Sequence, residues 1–218
     1  MEVELISHTP EPDIIAAVAA MLTHSKSNFK ELKEEDEEKL RKVLRIVIDM
    51  GHTSVVEHAY FTFAISGVSR ALTHQLVRHR IASYSQQSQR YVEQEMRYVI
   101  PPSIAKEFGK EYEEMMRKIW DFYEKMKEKG IPIEDARYVL PNAAHTKIIV
   151  SMNARSLLNF FELRCCLHAQ WEIRKLAWKM LKLVRQVAPT IFEKAGPPCK
   201  TRHECPMNKK DCRWYPKK

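Results

Sequence analysis

The chain has 218 residues, 44% hydrophobic and 29% charged, which fits one large globular domain or two small ones and excludes a disordered protein. Its formal net charge is +8 at pH 7, but residues 199–218 hold seven Lys or Arg against two acids, which is +5 of that total. The rest of the chain is nearly balanced, so its charge does not by itself indicate a nucleic-acid-binding protein.

Strand and helix signals alternate in the first part of the chain. VELIS predicts a short strand, and PDIIAAVAAMLTH has helical spacing with Pro12 at its start. DEEKLRKVLRIVIDMG predicts a helix that Asp36 caps and Gly51 ends. AYFTFAIS alternates as a strand does, and SRALTHQLVRHR predicts a helix that begins at Ser69. Residues 81–89 lack a periodic apolar signal, so we expect an irregular loop there.

Helices dominate the second part of the chain. SIAKEFGKEYEEMMRKIWDFYEKMKEKG predicts a long helix ended by Gly130, and IPIEDARYVLP a short one stopped by Pro141. HTKIIVSM is a candidate strand, and NARSLLNFFELRCCLHAQWEIRKLAWKMLKLVRQVAP is helical for most of its length. We therefore predict one helix-rich α+β domain with a small, mostly antiparallel sheet over residues 1–198, followed by a basic, cysteine-containing tail at residues 199–218.

The sequence contains no targeting signal and no clear disulfide framework. No apolar run is long enough to cross a bilayer, and the start, MEVELISHTPEPD, lacks the regions of a signal peptide, so we expect a cytoplasmic protein. Five cysteines are an odd number for a set of disulfides. Cys165 and Cys166 lie in a helical pattern and are predicted to be small core residues.

One stretch, RHRIASYSQQSQRY, collects guanidinium and hydroxyl groups without a carboxylate. Residues 66–92 contain four arginines, no lysine and no acid. An arginine presents a planar fork of donors that matches phosphate oxygens in pairs, and it stays charged at working pH. Gln75 and Arg78 would share a face of the predicted helix, and Ser88 and Arg90 could close around a phosphate from the other side. We favour a phosphate site over the alternative that these arginines pair with acids elsewhere in the fold.

A second polar pattern lies in NARSLLNFFELRCCLHAQWE. Arg155 and Asn159 are spaced i, i+4, and so are Arg164 and His168, beside a strongly apolar surface. Such a helix could line a pocket for a flat polar ligand. The alternative, in which Asn159 is a buried amide and His168 a packed core histidine, is about equally supported.

Two stretches raise the question of a metal. GHTSVVEH holds two histidines and a glutamate, but their spacing does not match the H-E-x-x-H arrangement, so we predict no metal there. The tail holds three cysteines and a histidine that could supply four zinc ligands, although C-x-x-C pairs are absent, and a partly flexible basic tail is at least as well supported. The residues concerned are His52, Glu57 and His58, and then Cys199, His203, Cys205 and Cys212.

The arginine-rich stretch resembles the signature of the flavin-dependent thymidylate synthases: R-H-R, two residues, S, four residues, S, one residue, R. The matching positions are Arg78, His79, Arg80, Ser83, Ser88 and Arg90. GHTSVVEHAYFTF, ARYVLP and NARSLLNFFELRCCLHAQWEIR are similar to further segments of this family and follow in its order. Together they cover the chain from about residue 52 to residue 174, and the chain is identified as a member of this family.

The resemblance implies an enzyme that methylates dUMP to dTMP. Methylenetetrahydrofolate would give the carbon and NADPH the reducing equivalents, and FAD would mediate the transfer of those reducing equivalents. It also implies the family's own thymidylate synthase-complementing fold and a homotetramer whose active sites draw residues from several chains. We expect no membrane partner and do not favour a nucleic-acid partner, although the basic tail could bind RNA weakly beside the enzyme activity. The chain has no Rossmann glycine fingerprint and no P-loop, which agrees with a flavin held in another way.

Carried over position by position, the resemblance assigns residues to each ligand. FAD would be held by Ser54, Arg78, His79, Arg80, Gln86, Asn153, Arg155 and Asn159. The substrate dUMP would be held by His52, Gln75, Arg78, Gln86, Gln87, Ser88, Arg90, Arg137 and Arg164. His52 and His168 would lie near the flavin or folate face.

The resemblance also implies chemical roles. Arg164 would be catalytic, because its guanidinium would favour ionisation of uracil N3. Ser88 would bind the phosphate with Arg90 rather than act as a nucleophile. Some family members have Glu where this chain has Gln86, and Gln keeps the hydrogen-bonding shape but loses the negative charge.

Two other classes of protein remain as alternatives. A nucleic-acid-binding module would use the basic tail and stacking aromatics such as Trp214 and Tyr215. A helical protein without a ligand would leave the arginines of residues 66–92 unexplained.

Overall fold

A computed structural model of the chain describes residues 1–216 and has the predicted helix-rich α+β architecture. The strands form one small antiparallel sheet in the order β1-β2-β4-β3. In chain order, the elements are β1 Glu2–His8, α1 Pro12–Leu22, α2 Phe29–Lys33, α3 Glu37–Asp49, β2 Tyr60–Ser69, α4 Arg70–Leu76, β3 Ala82–Gln86, α5 Pro102–Glu128, α6 Ile133–Ala136, β4 His145–Asn153, α7 Ala154–Arg164, α8 Trp171–Val187 and α9 Pro198–Thr201. Short 3-10 helices lie at Thr53–His58 and Arg137–Val139.

The chain forms two compact units. Unit 1 comprises Met1–Glu2, Ile65–Arg78 and Tyr84–Ile149. Unit 2 comprises Val3–Ala64, His79–Ser83 and the segment from Val150 onward. The boundary between a catalytic domain at residues 1–198 and a tail at residues 199–218 stays a prediction.

Polar side chains cap the helices that carry the predicted site residues. Ser69 accepts a hydrogen bond from the backbone N–H of Leu72 at 3.0 Å, so α4 begins where the sequence predicts. Asn153 caps α7 in the same way, since its Oδ1 accepts from the N–H of Ser156 at 2.9 Å. The predicted cap at Asp36 is likewise confirmed by a 2.9 Å bond.

Aromatic side chains fill the core of unit 2. Phe192 meets Phe61 edge-on with the ring centroids 5.4 Å apart, and Phe161 in the same way at 5.8 Å. Phe160 packs against Phe161 at 5.7 Å, which carries the cluster along α7. All four rings are fully buried. This packing fixes the position of α7 and therefore of the polar residues on its other faces.

In unit 1, α5 organises a separate core. Met116, Trp120 and Tyr123 are buried on one face of this helix. The indole N–H of Trp120 donates to the carbonyl of Gln94 at 3.1 Å, and the N–H of Gln94 donates to the Tyr123 hydroxyl at 3.4 Å. These bonds anchor the chain shortly after Arg90.

The predicted irregular loop at residues 81–89 is wrong for its first part, because Ala82–Gln86 form β3. Serines and a glutamine dominate this strand, so it gives no apolar signal in the sequence. Strand pairing fixes it instead: β3 lies beside β4, and just past its end the N–H of Gln87 donates to the carbonyl of Lys147 at 2.9 Å.

Two predicted helices end earlier than expected. Helix α4 stops at Leu76, so Arg78 and His79 lie beyond it and do not share a helical face with Gln75. The long helix predicted from residue 153 divides into α7 and α8, and His168 lies in the turn between them rather than one helical turn from Arg164. The short helix α2 was not predicted. No helix within residues 1–216 has both the length and the apolar character that spanning a bilayer requires.

Asp13 links distant parts of unit 2 and gives a stability test. Its carboxylate is 2% exposed, accepts from Arg41, and accepts from the backbone N–H groups of Thr190 and Ile191 at 2.9 and 3.0 Å. Asp13→Ala would leave the two backbone N–H groups unpaired in the interior and remove one partner of Arg41, which keeps its ion pair with Glu37. We therefore expect a loss of about 3 kcal/mol in the free energy of unfolding.

Urea denaturation measures that loss. The matched control is Glu193→Ala, which removes the exposed ion pair with Arg45 and should cost less than about 1 kcal/mol. Equal effects of the two substitutions would contradict the role given to Asp13.

Candidate functional site

The residues singled out from the sequence fall into two sets, one in each unit. The unit 1 cluster consists of Gln75, Arg78, Gln86, Gln87, Ser88, Arg90 and Arg137. The unit 2 cluster consists of His52, Ser54, His79, Arg80, Asn153, Arg155, Asn159, Arg164 and His168. In each set, one arginine is paired with a carboxylate and another has no partner among the described residues.

In the unit 1 cluster, Glu134 holds two of the arginines. The Nε–H of Arg90 donates to the Glu134 carboxylate at 2.9 Å, and the Nε–H of Arg137 donates to the Glu134 carbonyl at 3.0 Å. The expectation that these arginines lack carboxylate partners is therefore wrong for Arg90. Both side chains of this ion pair are about half exposed, at 51% and 48%, so water screens the pair and a stronger anion can displace it.

Arg70 belongs with this cluster and was not singled out from the sequence. Its side chain is half-buried, and within residues 1–216 it has no hydrogen-bonding or ionic partner. Burial lowers the pKa of Arg70, and the nearby positive charge of Arg137 lowers it further. The backbone N–H of Arg70 donates to the carbonyl of Ala144 at 3.1 Å, which fixes the start of α4. Two like charges without a shared carboxylate form a site that an anion would stabilise.

The side chains of Gln86 and Ser88 already form hydrogen bonds within the unit 1 cluster. The Gln86 amide donates to the hydroxyls of Thr73 and Thr146 at 3.0 and 3.2 Å, which a glutamate at this position could not do. The Ser88 hydroxyl accepts from the backbone N–H of Arg90 at 3.1 Å, so these two residues form one local turn. The side chain of Arg78 is exposed and unpaired among the described residues.

The unit 2 cluster centres on a hydrogen bond between Arg164 and His79. The Nε–H of Arg164 donates to Nε2 of His79 at 2.9 Å. The His79 side chain is 8% exposed, and its ring meets Phe160 edge-on at 4.9 Å. Burial, together with the charge of Arg164, lowers the pKa of His79 from 6.5 to about 4. The imidazole is therefore neutral at pH 7 and accepts this hydrogen bond.

This hydrogen bond leaves most of the Arg164 guanidinium available. Arg164 is the last residue of α7 and is half-buried. Across residues 1–216, its two terminal nitrogens have no hydrogen-bonding partner. A planar cation with a fixed Nε and free terminal N–H groups can receive the flat, electron-rich edge of a ligand.

A second hydrogen bond holds the segment from His79 against α7. The Ser156 hydroxyl donates to the carbonyl of Ile81 at 3.1 Å. Ile81 has a φ of +62°, an uncommon conformation for a β-branched residue, where the chain turns towards β3. Neither this contact nor the Arg164–His79 bond has a sequence signal, because each joins residues more than seventy positions apart.

Arg155 and Asn159 lie one turn apart on α7, as predicted, and both line a cavity of about 660 Å³ in unit 2. Arg155 forms an ion pair with Glu57. Asn159 is exposed, so the alternative that it is a buried amide is wrong, and His168 is exposed rather than packed in the core. The other cations of this cavity, Arg45, Lys194 and Arg202, are each paired with an acid.

The remaining predicted residues of unit 2 differ in burial. Asn153 is buried and serves as the cap of α7. Ser54 and His52 are exposed at the 3-10 helix that follows α3, and Arg80 is exposed and unpaired within the described part of the chain. That these residues contact FAD or dUMP stays a prediction.

The low pKa of His79 predicts a pH-dependent stability. The unfolded chain takes up a proton near pH 6.5 and folded His79 only near pH 4, so the stabilisation is present above pH 6.5 and is lost as the pH falls towards 4. We expect the free energy of unfolding to fall less between pH 7 and pH 4.5 in His79→Gln than in the wild type.

Urea unfolding at the two pH values measures this difference. The control is His24→Gln, since the His24 side chain is exposed outside both clusters, and its pH dependence should match that of the wild type. If His79→Gln also matches the wild type, the assignment of a neutral, buried His79 is wrong.

Comparison with known proteins identifies the family of the chain. A family model described as thymidylate synthase complementing protein matches residues 4–190. Relatives named flavin-dependent thymidylate synthase include those of Geobacter sulfurreducens, 50% identical over 97% of this chain and 94% of the relative, and of Clostridium tetani, 47% identical over 97% and 93%. The Pyrococcus furiosus relative is 43% identical over 94% of this chain and 89% of its own length.

A solved structure has the same fold. It is the UMP/dUMP methylase PolB from Streptomyces cacaoi bound with 5-Br dUMP, with a TM-score of 0.80, 22% identity, and coverage of 88% of this chain and 93% of PolB. The family predicted from the RHR stretch is confirmed by the full-length relatives. The chain is an enzyme, and it belongs to the family of flavin-dependent thymidylate synthases.

Proposed function

We propose that this enzyme methylates dUMP to dTMP, with methylenetetrahydrofolate as carbon donor, NADPH as reductant and FAD as bound cofactor. Family membership supports the reaction class, since the full-length relatives are named for it. The observation within this chain that carries the proposal is the Arg164 guanidinium, fixed by neutral His79 and otherwise free. Such a group suits a pyrimidine that must become an anion before it can be methylated.

The residues assigned to FAD fit its chemistry. FAD carries an anionic pyrophosphate, and Arg80 offers an exposed guanidinium without a competing acid within the described residues. Arg155 and Asn159 border a cavity whose volume of about 660 Å³ is in the range of small-molecule sites. When bound, FAD would carry the reducing equivalents of NADPH to the one-carbon unit.

Arg164 would activate the uracil ring. Uracil C5 is a poor nucleophile until negative charge is placed in the ring, and a guanidinium beside N3 favours that ionisation. Because the His79 bond orients the guanidinium before substrate arrives, no reorganisation is needed as the charge develops. His79 acts as a positioning residue, and its neutrality matters because an imidazolium would repel Arg164 and could not accept its hydrogen bond.

The arginines of the unit 1 cluster would hold the dUMP phosphate. Arg90 and Arg137 are drawn together by Glu134, and Arg70 adds a half-buried positive charge next to Arg137. A phosphate dianion would replace the exposed Glu134 carboxylate as the partner of Arg90. Ser88 shares a turn with Arg90 and would add a hydroxyl donor.

A homotetramer is part of this proposal. Large apolar side chains are exposed within the segments assigned to the site, with Ile81, Tyr91 and Tyr138 at 77%, 75% and 83%. Such exposure is typical of a surface that another subunit covers. Light scattering on the purified enzyme should give four times the chain mass, and a monomeric mass in the active preparation would contradict it.

The nucleic-acid alternative gains no support from the aromatic residues of the tail. The Trp214 ring already contacts Trp178 edge-on at 6.4 Å, and the Lys200 ammonium lies 4.2 Å from its centroid. A ring held in this way is not a free stacking platform for bases.

Arg164→Ala tests the proposed chemistry. The purified wild type should be yellow, lose that colour with NADPH, and form dTMP from dUMP and methylenetetrahydrofolate. Arg164→Ala should keep its flavin absorbance and fold but lower kcat at least about 100-fold, since a fixed charge beside the developing anion is removed. Arg164→Lys should recover little, because Lys lacks the planar fork. Normal dTMP formation by Arg164→Ala would remove this residue from the mechanism.

Arg70→Ala tests the phosphate site independently. We expect a rise of about 10-fold or more in the KM for dUMP with a smaller change in kcat, because a charged contact to the phosphate is lost before the chemical step. Arg117→Ala, which removes an exposed arginine on α5, should leave both constants unchanged. If Arg70→Ala leaves the KM for dUMP unchanged, Arg70 is not part of the site.

A further inference from the structure

Helix α5 carries a stripe of large apolar side chains that remain more than half exposed. Phe108, Met115 and Phe122 recur every seven residues and are 62%, 53% and 54% exposed. A spacing of seven residues places side chains on the same side of a helix, two turns apart. Phe108 lies at a kink, where its φ is −135°, and the helix runs on to Glu128. The stripe is therefore a continuous feature of one side of α5.

This stripe lies beside the face of α5 that packs inside unit 1. Ile119 and Met126 are partly buried against the unit 1 core, and they follow Met115 and Phe122 by one helical turn. The apolar surface of α5 is thus wider than the part that the core covers. A surface helix normally has polar residues beyond its buried stripe, so a second apolar stripe is typical of a face that another helix covers.

Charged side chains border the stripe on the edge away from the core and change sign along it. Glu111 precedes Met115 by four residues and Lys118 follows it by three, so both flank Met115 on one edge of α5. Neither forms an ion pair with any of the described residues. About 10 Å of helix separates them, so they do not pair with each other.

We propose that α5 pairs in antiparallel orientation with α5 of a second copy of this chain, about a two-fold axis at Met115. Met115 then meets its own symmetry mate. Phe122 of one copy lies opposite Phe108 of the other, because each is seven residues from the axis. A two-fold interface is self-complementary, so the same stripe serves both copies. This contact rests on the proposed homotetramer, of which it would be one interface.

The charges that border the stripe favour this arrangement. With the axis at Met115, Glu111 of one copy lies opposite position 119 of the other and therefore next to Lys118. Symmetry repeats the contact, so an ion pair borders the apolar seam on both sides of the axis. In a parallel pairing, each residue would lie at the level of its own symmetry mate. Glu111 and Lys118 would then stay about 10 Å apart along the seam and would not meet.

Sedimentation of the purified enzyme tests the contact. Met115→Glu places a charge at the axis and should halve the mass of the assembly, while the circular dichroism stays that of the wild type because this side chain is exposed in the single chain. The matched control, Arg117→Glu, changes an exposed residue on the opposite side of α5 and should leave the mass unchanged. An unchanged mass in Met115→Glu would overturn the α5 contact but not the homotetramer, whereas a monomeric wild type would overturn both.

A charge exchange tests the register of the two helices. Glu111→Lys and Lys118→Glu should each raise the dissociation constant of the assembly about 10-fold or more, because each places like charges side by side at two symmetric positions. The double variant should return the constant close to that of the wild type, since the same pairs form with their signs reversed. A double variant that associates no better than the single variants would show that Glu111 and Lys118 do not meet and would overturn the proposed register.

A disulfide probe distinguishes a second copy from other occupants of the stripe. Met115→Cys lies at the proposed axis, so mild oxidation should join two chains through it, above the level seen in the wild type, whereas Arg117→Cys should add no such product. Equal products from the two variants would overturn the contact. Binding of the wild type to anionic lipid vesicles, lost in a Met115→Glu variant of unchanged mass, would assign the stripe to a membrane surface and overturn it as well.

Discussion

The proposed chemistry depends on one hydrogen bond, from the Arg164 guanidinium to the neutral His79 imidazole. A cation in a half-buried position is normally held by a carboxylate, which would cancel its field. Here the partner is an uncharged acceptor, so the position of the guanidinium is fixed while its charge stays available. The burial of His79 against Phe160 keeps the imidazole neutral. The aromatic core of unit 2 therefore has an electrostatic role as well as a packing role.

The arginines of the stretch RHRIASYSQQSQRY differ in whether a carboxylate neutralises their charge. Arg90 has an exposed carboxylate partner, whereas Arg78 and Arg80 have none within residues 1–216. A stretch without acids in the sequence therefore does not imply arginines without acids in space, because Glu134 comes from 44 residues further along the chain. The proposed phosphate site is therefore defined by how weakly Arg90 is held by its carboxylate partner, not by the absence of a partner. An exposed ion pair can exchange its carboxylate for a phosphate, since it contributes little to stability.

The basic residues of the tail contribute to packing as well as to charge. The Lys200 ammonium lies 4.2 Å from the centroid of the Trp214 ring, and Arg202 forms an ion pair with Glu162 of α7.

The sequence by itself determined the family, the helix-rich α+β class, most helices and strands, and the i, i+4 pair of Arg155 and Asn159. These features depend on short spacings, and hydrophobic periodicity, caps and a fixed motif are all local. Only the tertiary structure decided that Ala82–Gln86 form a strand, that Arg70 belongs beside Arg137, and that His79 holds Arg164. Each of these depends on residues brought together by packing, and neither strand pairing nor the burial that sets a pKa leaves a trace in neighbouring residues.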